Sequence, residues 1–355
     1  MKLFTVGPVE MYPETLEVAG RQVPYFRNDD FSQVMFECDA AFKRLAKCND
    51  TCRTVILTAS GTGAMEAVVE NCMARSGRAL VIDGGSFGHR FVQLCEIHNI
   101  AYSVCVVPPN SALTPALLKP FFGKGRYTDL LVNLDETSLG KLYDINLLSN
   151  FCRENDIFLT VDAISAFLAD PLSMSADGID TLIVSSQKAL SLEPGISVVA
   201  LSERMITERV EKAPVTSMYF NFKSYLKNGE RGQTPFTPAV GIVYQLREML
   251  ARVETTGGVN EWINATRKVA LDFRSRLKGL PVHIPTYPLS NALTPVVFDS
   301  VDARKVNEKL VREYGLIINP CGGDNASHMV RVAHIGNHSI ADNEELVRAL
   351  TKILA

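Results

Sequence analysis

Asp180-Thr181-Leu182-Ile183-Val184-Ser185-Ser186-Gln187-Lys188-Ala189-Leu190 is the stretch on which the fold turns. Asp180 to Val184 is an apolar, β-rich run of strand length, followed by a short polar turn and then Lys188. Lysine is almost never fully buried without a partner. A buried lysine loses proton affinity and becomes a usable amine nucleophile. Alone, Lys188 reads as a surface residue after a strand. Two other segments change that reading.

Phe158-Leu159-Thr160-Val161-Asp162-Ala163-Ile164-Ser165 is a second apolar strand ending in an acid. By itself Asp162 would be a helix N-cap or a loop residue. In α/β sheets, however, strand ends cluster at one edge, where ligands bind. The third segment is Thr58-Ala59-Ser60-Gly61-Thr62-Gly63-Ala64-Met65-Glu66-Ala67. Gly61 and Gly63 allow the backbone to approach an anion, and Met65, Val68, Val69, Cys72 and Met73 follow amphipathic helix spacing. A glycine turn opening a helix offers free N–H groups to a phosphate. Neither GxGxxG nor GxxxxGK[ST] spacing is present, so nothing here reads as a dinucleotide fingerprint or a P-loop. An amine for an aldehyde, an acid for a pyridine nitrogen and a phosphate-binding helix start together are what pyridoxal 5'-phosphate (PLP) requires.

On these residues the chain resembles the fold type I PLP enzymes of aminotransferase class V. Within that class it is similar to the alanine–glyoxylate, serine–pyruvate and 2-aminoethylphosphonate–pyruvate aminotransferases. The resemblance implies that Ser60, Gly61 and Thr62 bind the cofactor phosphate, with Gln187 beside them. Phe87, in Gly85-Ser86-Phe87-Gly88-His89-Arg90, would stack on the ring, and Thr137, in Glu136-Thr137-Ser138-Leu139-Gly140, would contact its hydroxyl. Asp162 matches the pyridine-nitrogen acid and Lys188 the Schiff-base lysine. Thr237, in Phe236-Thr237-Pro238-Ala239-Val240, matches a segment reaching the neighbouring subunit's phosphate. Arg331, in Arg331-Val332-Ala333-His334-Ile335-Gly336, matches the substrate-carboxylate arginine, and Gly7, in Thr5-Val6-Gly7-Pro8, a segment near the substrate.

Three positions depart from the family pattern. Thr234 stands where one branch carries a tyrosine to the partner's phosphate, Phe87 replaces the commoner tryptophan or tyrosine, and Leu139 breaks the E-[ST]-S-T-G turn. The implied activity is amino transfer from a small anionic donor (alanine, serine or 2-aminoethylphosphonate) to pyruvate or glyoxylate, by a homodimer with shared sites. The alternative is a PLP-dependent lyase, desulfurase-like or β-eliminating. Cys321, in Asn319-Pro320-Cys321-Gly322-Gly323, bears on that alternative and reads as structural. Glu10, close to Gly7, is expected near the entrance, where it would repel a dianionic phosphonate. Arg27 and Arg90 read as salt-bridge formers, and His334 and His338 as structural.

Bulk properties agree. A chain of 355 residues buries a large core and has room for about two domains. A net charge of −3, with no basic arm, makes no case for nucleic acid or an anionic membrane. The first residues are too short an apolar run for a signal peptide, and no stretch has the length of a spanning helix. The eight cysteines form no disulfide framework, Cys48 and Cys52 are too widely spaced for CxxC, and no metal site is expected. The expectation is a soluble cytoplasmic protein.

Runs at 78–83, 102–107, 129–134, 157–161, 180–184 and 196–201 read as short buried strands alternating with helices. This predicts an α/β fold: a large domain with a mostly parallel sheet, and a smaller C-terminal α+β domain. The 196–201 run, following Pro194-Gly195, is expected as an antiparallel addition. The expected organisation is a segment 1–15 beside the small domain, a cofactor domain 16–238, and a small domain 239–355. Residues 221–238 read as irregular, and helices are expected at 240–252, 259–277, 301–314 and from 340.

Overall fold

Alternate residues of the Thr181–Ser185 strand face two different cores, as they must in a sheet covered on both sides. Leu182 and Val184 join one apolar cluster and Ile183 the other. The same division holds for Leu130 and Val132 against Leu131, and for Val198 and Ala200 against Val199. Helices Gly61–Cys72 and Ser86–Ile97 cover one face. Helices Asp29–Leu45, Ile145–Asn155 and Val240–Thr255 cover the other. Each fully buried Leu, Val, Ile or Phe contributes about 1.5–3 kcal/mol.

The computed structural model describes the whole chain, Met1 to Ala355. The large sheet has seven strands in the order Arg53–Leu57, Ser197–Leu201, Thr181–Ser185, Phe158–Asp162, Asp129–Asn133, Arg78–Asp83, Ala101–Val106. All run parallel except Ser197–Leu201, which is antiparallel to both neighbours. This is a mixed α/β architecture with a large, mostly parallel sheet. The register sets Asp162 beside Asn133 and Ile183, so the C-terminal ends of the parallel strands share one edge.

A second sheet of five strands is built on Leu293–Phe298, Leu316–Pro320 and Met329–Ala333. The N-terminal residues Lys2–Phe4 pair in parallel with Leu316–Pro320, so the start of the chain is a strand of the C-terminal sheet. A third apolar cluster, including Phe4, Phe273, Phe298, Ile318 and Leu346, packs there. Helix Val240–Thr255 contributes Val243, Leu246 and Leu250 to the large sheet's core.

Several elements were not anticipated from sequence, helices Asp29–Leu45 and Ser86–Ile97 among them, and three more are instructive. Arg53–Leu57 is an edge strand whose first two residues are half-exposed. Leu316–Pro320 ends in Asn-Pro, which reads as a turn. Phe222–Gly229 is a helix inside the stretch expected to be irregular; the Asn221 side chain accepts from Ser224 N–H at 3.4 Å and caps it. Asn228-Gly229 marks its end, not its absence.

Candidate active site

Lys188 follows the end of Thr181–Ser185, and Asp162 closes Phe158–Asp162 beside it. Burial, and after it the Arg331 guanidinium, bring the Lys188 ammonium down to about 8; the Asp135 and Asp162 carboxylates pull the other way. Burial likewise pushes the Asp162 carboxyl up to about 7, against the Ile164 N–H that Oδ1 accepts at 2.8 Å and the Lys188 amine. Oδ2 of Asp162 takes no hydrogen bond from the chain. An amine whose proton is held less tightly than usual and an acid whose proton is held more tightly thus share one edge.

Gly7 is pressed against the lysine. A Cβ at Gly7 would lie 2.8 Å from Lys188 Cδ and 2.9 Å from Nζ, and its φ of +149° disfavours any side chain. Val6 N–H donates to Asn319 Oδ1 at 3.0 Å, fixing the N-terminal segment over the site. Glu10 does not face the entrance: its carboxylate accepts Leu3 N–H at 2.8 Å. That corrects the expectation that it repels a phosphonate.

The helix Gly61–Cys72 starts at the same edge, with Ser60 as its cap accepting from Gly63 N–H at 3.3 Å. A Cβ at Gly61 would meet Ile164 Cδ1, so the tip of that side chain would have to move to admit one. Thr62 Oγ1 accepts from Arg90 Nη1 at 2.9 Å, and the Arg90 guanidinium lies 4.9 Å from the Phe87 ring centre. Arg90 therefore has no carboxylate partner, contrary to the sequence reading. Arg27 likewise donates to Gln233 and to the carbonyls of Thr234 and Pro235. Gln187 Oε1 accepts from Ser185 Oγ at 2.7 Å, which ties it to Ser197 and so to Ala59 O.

Thr137 is buried; its hydroxyl shares a 2.7 Å hydrogen bond with Ser165. Its carbonyl accepts from Arg331 Nη1 at 3.2 Å, while Pro320 O accepts from Nη2 at 2.9 Å. Arg331 Nε is buried with no partner. Arg331 and Phe87 line one cavity of about 650 Å³ with Ser138, Leu139, Cys321 and Asn325. The only other charged residue there is Asp83, whose carboxylate accepts from Gly85 N–H and pairs with His89 at 3.0 Å.

Lys188, Asp162, Gly7 and Arg331 are thus gathered at one sheet edge, with Ser60, Gly61, Thr62, Phe87, Thr137 and Gln187 around them. Thr237 is not among them. It is exposed and fronts a separate surface cavity with residues 18–26 and 238–248. Thr234 is buried, with its hydroxyl donating to Phe236 O at 2.7 Å. His334 is neutral and buried, sharing a 2.7 Å hydrogen bond with Thr294 Oγ1, and His338 stacks on Phe4 at 4.8 Å.

Several contributors were missed. Glu136 accepts N–H groups of Gly88 (2.9 Å) and Phe87 (3.3 Å) and so holds the start of helix Ser86–Ile97. Asp135 is buried with both carboxylate oxygens unpaired, and burial pushes its carboxyl well above the usual range. Its signal was available: it follows a core strand, like Asp162. Lys141 is fully buried and donates to Pro108 O at 2.8 Å, a role that no local pattern announces.

Residues 20–341 match the family model described as aminotransferase class-V. An uncharacterized aminotransferase of Helicobacter pylori is 28% identical over 95% of this chain and 89% of its own. The alanine–glyoxylate aminotransferase of Callithrix jacchus is 25% identical over 96% of this chain and 84% of its own. The crystal structure of an alanine–glyoxylate aminotransferase from Nostoc sp. superposes with a TM-score of 0.92 at 24% identity, covering 99% of this chain and 95% of that one.

Proposed function

The chain belongs to the class V aminotransferase family, and we propose that it uses PLP to move an amino group from a small mono-anionic amino acid to pyruvate or glyoxylate. The observation carrying this reading is Arg331, which lines a cavity with no second cation among its lining residues and whose buried Nε has no partner. An arginine fork suits one carboxylate. A dianionic phosphonate would meet Asp83 and no second cation among the lining residues, so alanine or serine is favoured over 2-aminoethylphosphonate.

The residues present fit PLP. Asp162 has a free oxygen for the ring nitrogen, the Ser60 to Thr62 helix start offers N–H groups to a phosphate, and Phe87 offers an aromatic face. When bound, PLP supplies a covalent anchor for the amino group and an electron sink. The chain does the rest. Lys188 Nζ takes and returns the proton at the substrate's α-carbon, which a pKa near 8 suits. Asp162 would hold a proton at the ring nitrogen of the bound cofactor. Arg331 orients the carboxylate, and Gly7 with the N-terminal segment covers the lysine and excludes water.

The test is amino transfer from alanine, serine, aspartate, 2-aminoethylphosphonate and cysteine to pyruvate and glyoxylate, measured as product amino acid. Alanine or serine should lead. Losing one partner of a desolvated charge pair costs about 2–5 kcal/mol, so at about 1.4 kcal/mol per tenfold Arg331→Ala should lower kcat/KM by well over tenfold. Equal rates for the two proteins would make Arg331 a mere strand residue. Sulfide from cysteine without amino transfer would favour the lyase alternative. Against that alternative, burial pushes the Cys321 thiol up, leaving it a poor nucleophile.

The working unit in this reading is a cytoplasmic homodimer. Exposed Val23, Tyr25, Val215 and Met218 leave apolar surface around Thr237 and Phe236, which suits a partner. Two-fold dimers are the commonest oligomers, and unpaired cysteines suit a reducing compartment. No helix is long and apolar enough to cross a membrane. Sedimentation should give twice the chain mass; a monomer fully active at high dilution would contradict the shared site.

A further inference from the structure

At the opposite ends of the large-sheet strands, away from Lys188, the fold gathers three sulfur atoms. Cys48 Sγ lies 3.4 Å and Cys52 Sγ 3.7 Å from Met174 Sδ. We propose that Cys48, Cys52 and Met174 form a binding site for a soft monovalent cation, namely Cu(I).

Geometry comes first. Sulfur donors held about 2.3 Å from a shared ion stand roughly 3.8–4 Å from one another. The two observed edges need open only slightly to admit one. The scaffold is already fixed by backbone hydrogen bonds: Met174 N–H to Ala46 O (2.9 Å), Ser175 N–H to Lys47 O (3.2 Å) and Cys48 N–H to Lys43 O (2.9 Å). Cys52 immediately precedes the edge strand Arg53–Leu57, so its backbone is held by the sheet. Cys52 and Met174 are buried, and Cys48 is half-exposed. A surface cavity of about 490 Å³, lined in part by Asn49, Thr51 and Met174, gives an ion a route to the thioether.

The donor set then selects the ion. Thiolate and thioether together suit Cu(I), whereas structural zinc takes four ligands drawn from Cys, His and carboxylate. No histidine or free acid completes such a set here. The nearby Asp39 is engaged with Lys43 at 2.7 Å and Thr54 at 2.5 Å. On binding, each cysteine gives its thiol proton to solvent and a sulfur lone pair to the ion, and no oxidation state changes. Binding should therefore tighten as pH rises.

The experiment titrates the reduced holoenzyme with Cu(I), without oxygen, against the chelator bicinchoninate. One ion per chain is expected, with an X-ray absorption shell of three sulfur atoms. Met174→Leu, which conserves volume, and Cys48→Ser, at a half-exposed position, should each weaken binding at least about tenfold, the least that even outer-shell losses cost a metal site. Cys321→Ser, at the other half-exposed cysteine, should leave it unchanged. Parent-like affinity in both site variants, loss of binding in Cys321→Ser, or a shell of two sulfurs would each overturn the proposal.

Discussion

Lys188→Ala is expected to abolish amino transfer, lowering kcat by at least the roughly 10²–10⁴-fold that a positioned acid–base group supplies. The variant should still take up PLP, because the helix start at Ser60 and the acid at Asp162 are untouched, but without a covalent link. Borohydride treatment followed by mass spectrometry checks this directly: the parent gains the cofactor's mass and the variant does not. In the parent, the rate of covalent loading should climb with pH through about 8. The sign follows from the lowered pKa: below 8 the amine is protonated and cannot attack, and above it the free amine dominates. Near-normal turnover by Lys188→Ala would remove the lysine from the chemistry.

Asp162→Asn should fold and hold PLP yet lose about a hundredfold or more in kcat. A buried ion pair broken at one partner costs about 3–5 kcal/mol, and about 1.4 kcal/mol is tenfold in rate. An amide has nearly the same shape as the acid and can still accept from Ile164 N–H, as Oδ1 now does at 2.8 Å. What it cannot do is stabilise a proton on a ring nitrogen. Absorbance of the bound cofactor across a pH series separates the two effects. In the parent the ring-nitrogen proton should persist across the measured range, and in the variant it should be lost at lower pH. If both proteins turn over alike, another group holds that proton, and Asp135, buried with both oxygens unpaired, is the one to examine.

The strand ends were legible because parallel strands buried on both faces must be continuous apolar runs, and 158–162 and 181–184 are such runs. Lys188 and Asp162 could therefore be placed at one edge before any coordinates. Arg53–Leu57 escaped because an edge strand starting with arginine and threonine carries a mixed pattern. The site's supporting residues were hidden for a different reason. Arg90 looked like a partner for an acid, but its neighbours are a threonine hydroxyl and an aromatic face contributed by separate segments. Glu10 was placed by proximity in sequence to Gly7, whereas a hydrogen bond to Leu3 turns it back on its own strand. Contacts between distant segments leave no period or spacing to read, which is also why Met174 could not be joined to Cys48 and Cys52 from sequence.

The pairing of the first strand with one near the end of the chain has a consequence for synthesis. Val6 is held by Asn319, 313 residues away, and Gly7 reaches Lys188 only once that contact exists. On the ribosome the amino terminus emerges first and waits longest for its partner. Domains generally fold as units during translation, while distant pairings form late. The large sheet can close around its lysine long before the small sheet is complete. Lys188 would thus stay unroofed until the strand from residue 316 is made, and a chain stalled before it would carry that lysine uncovered.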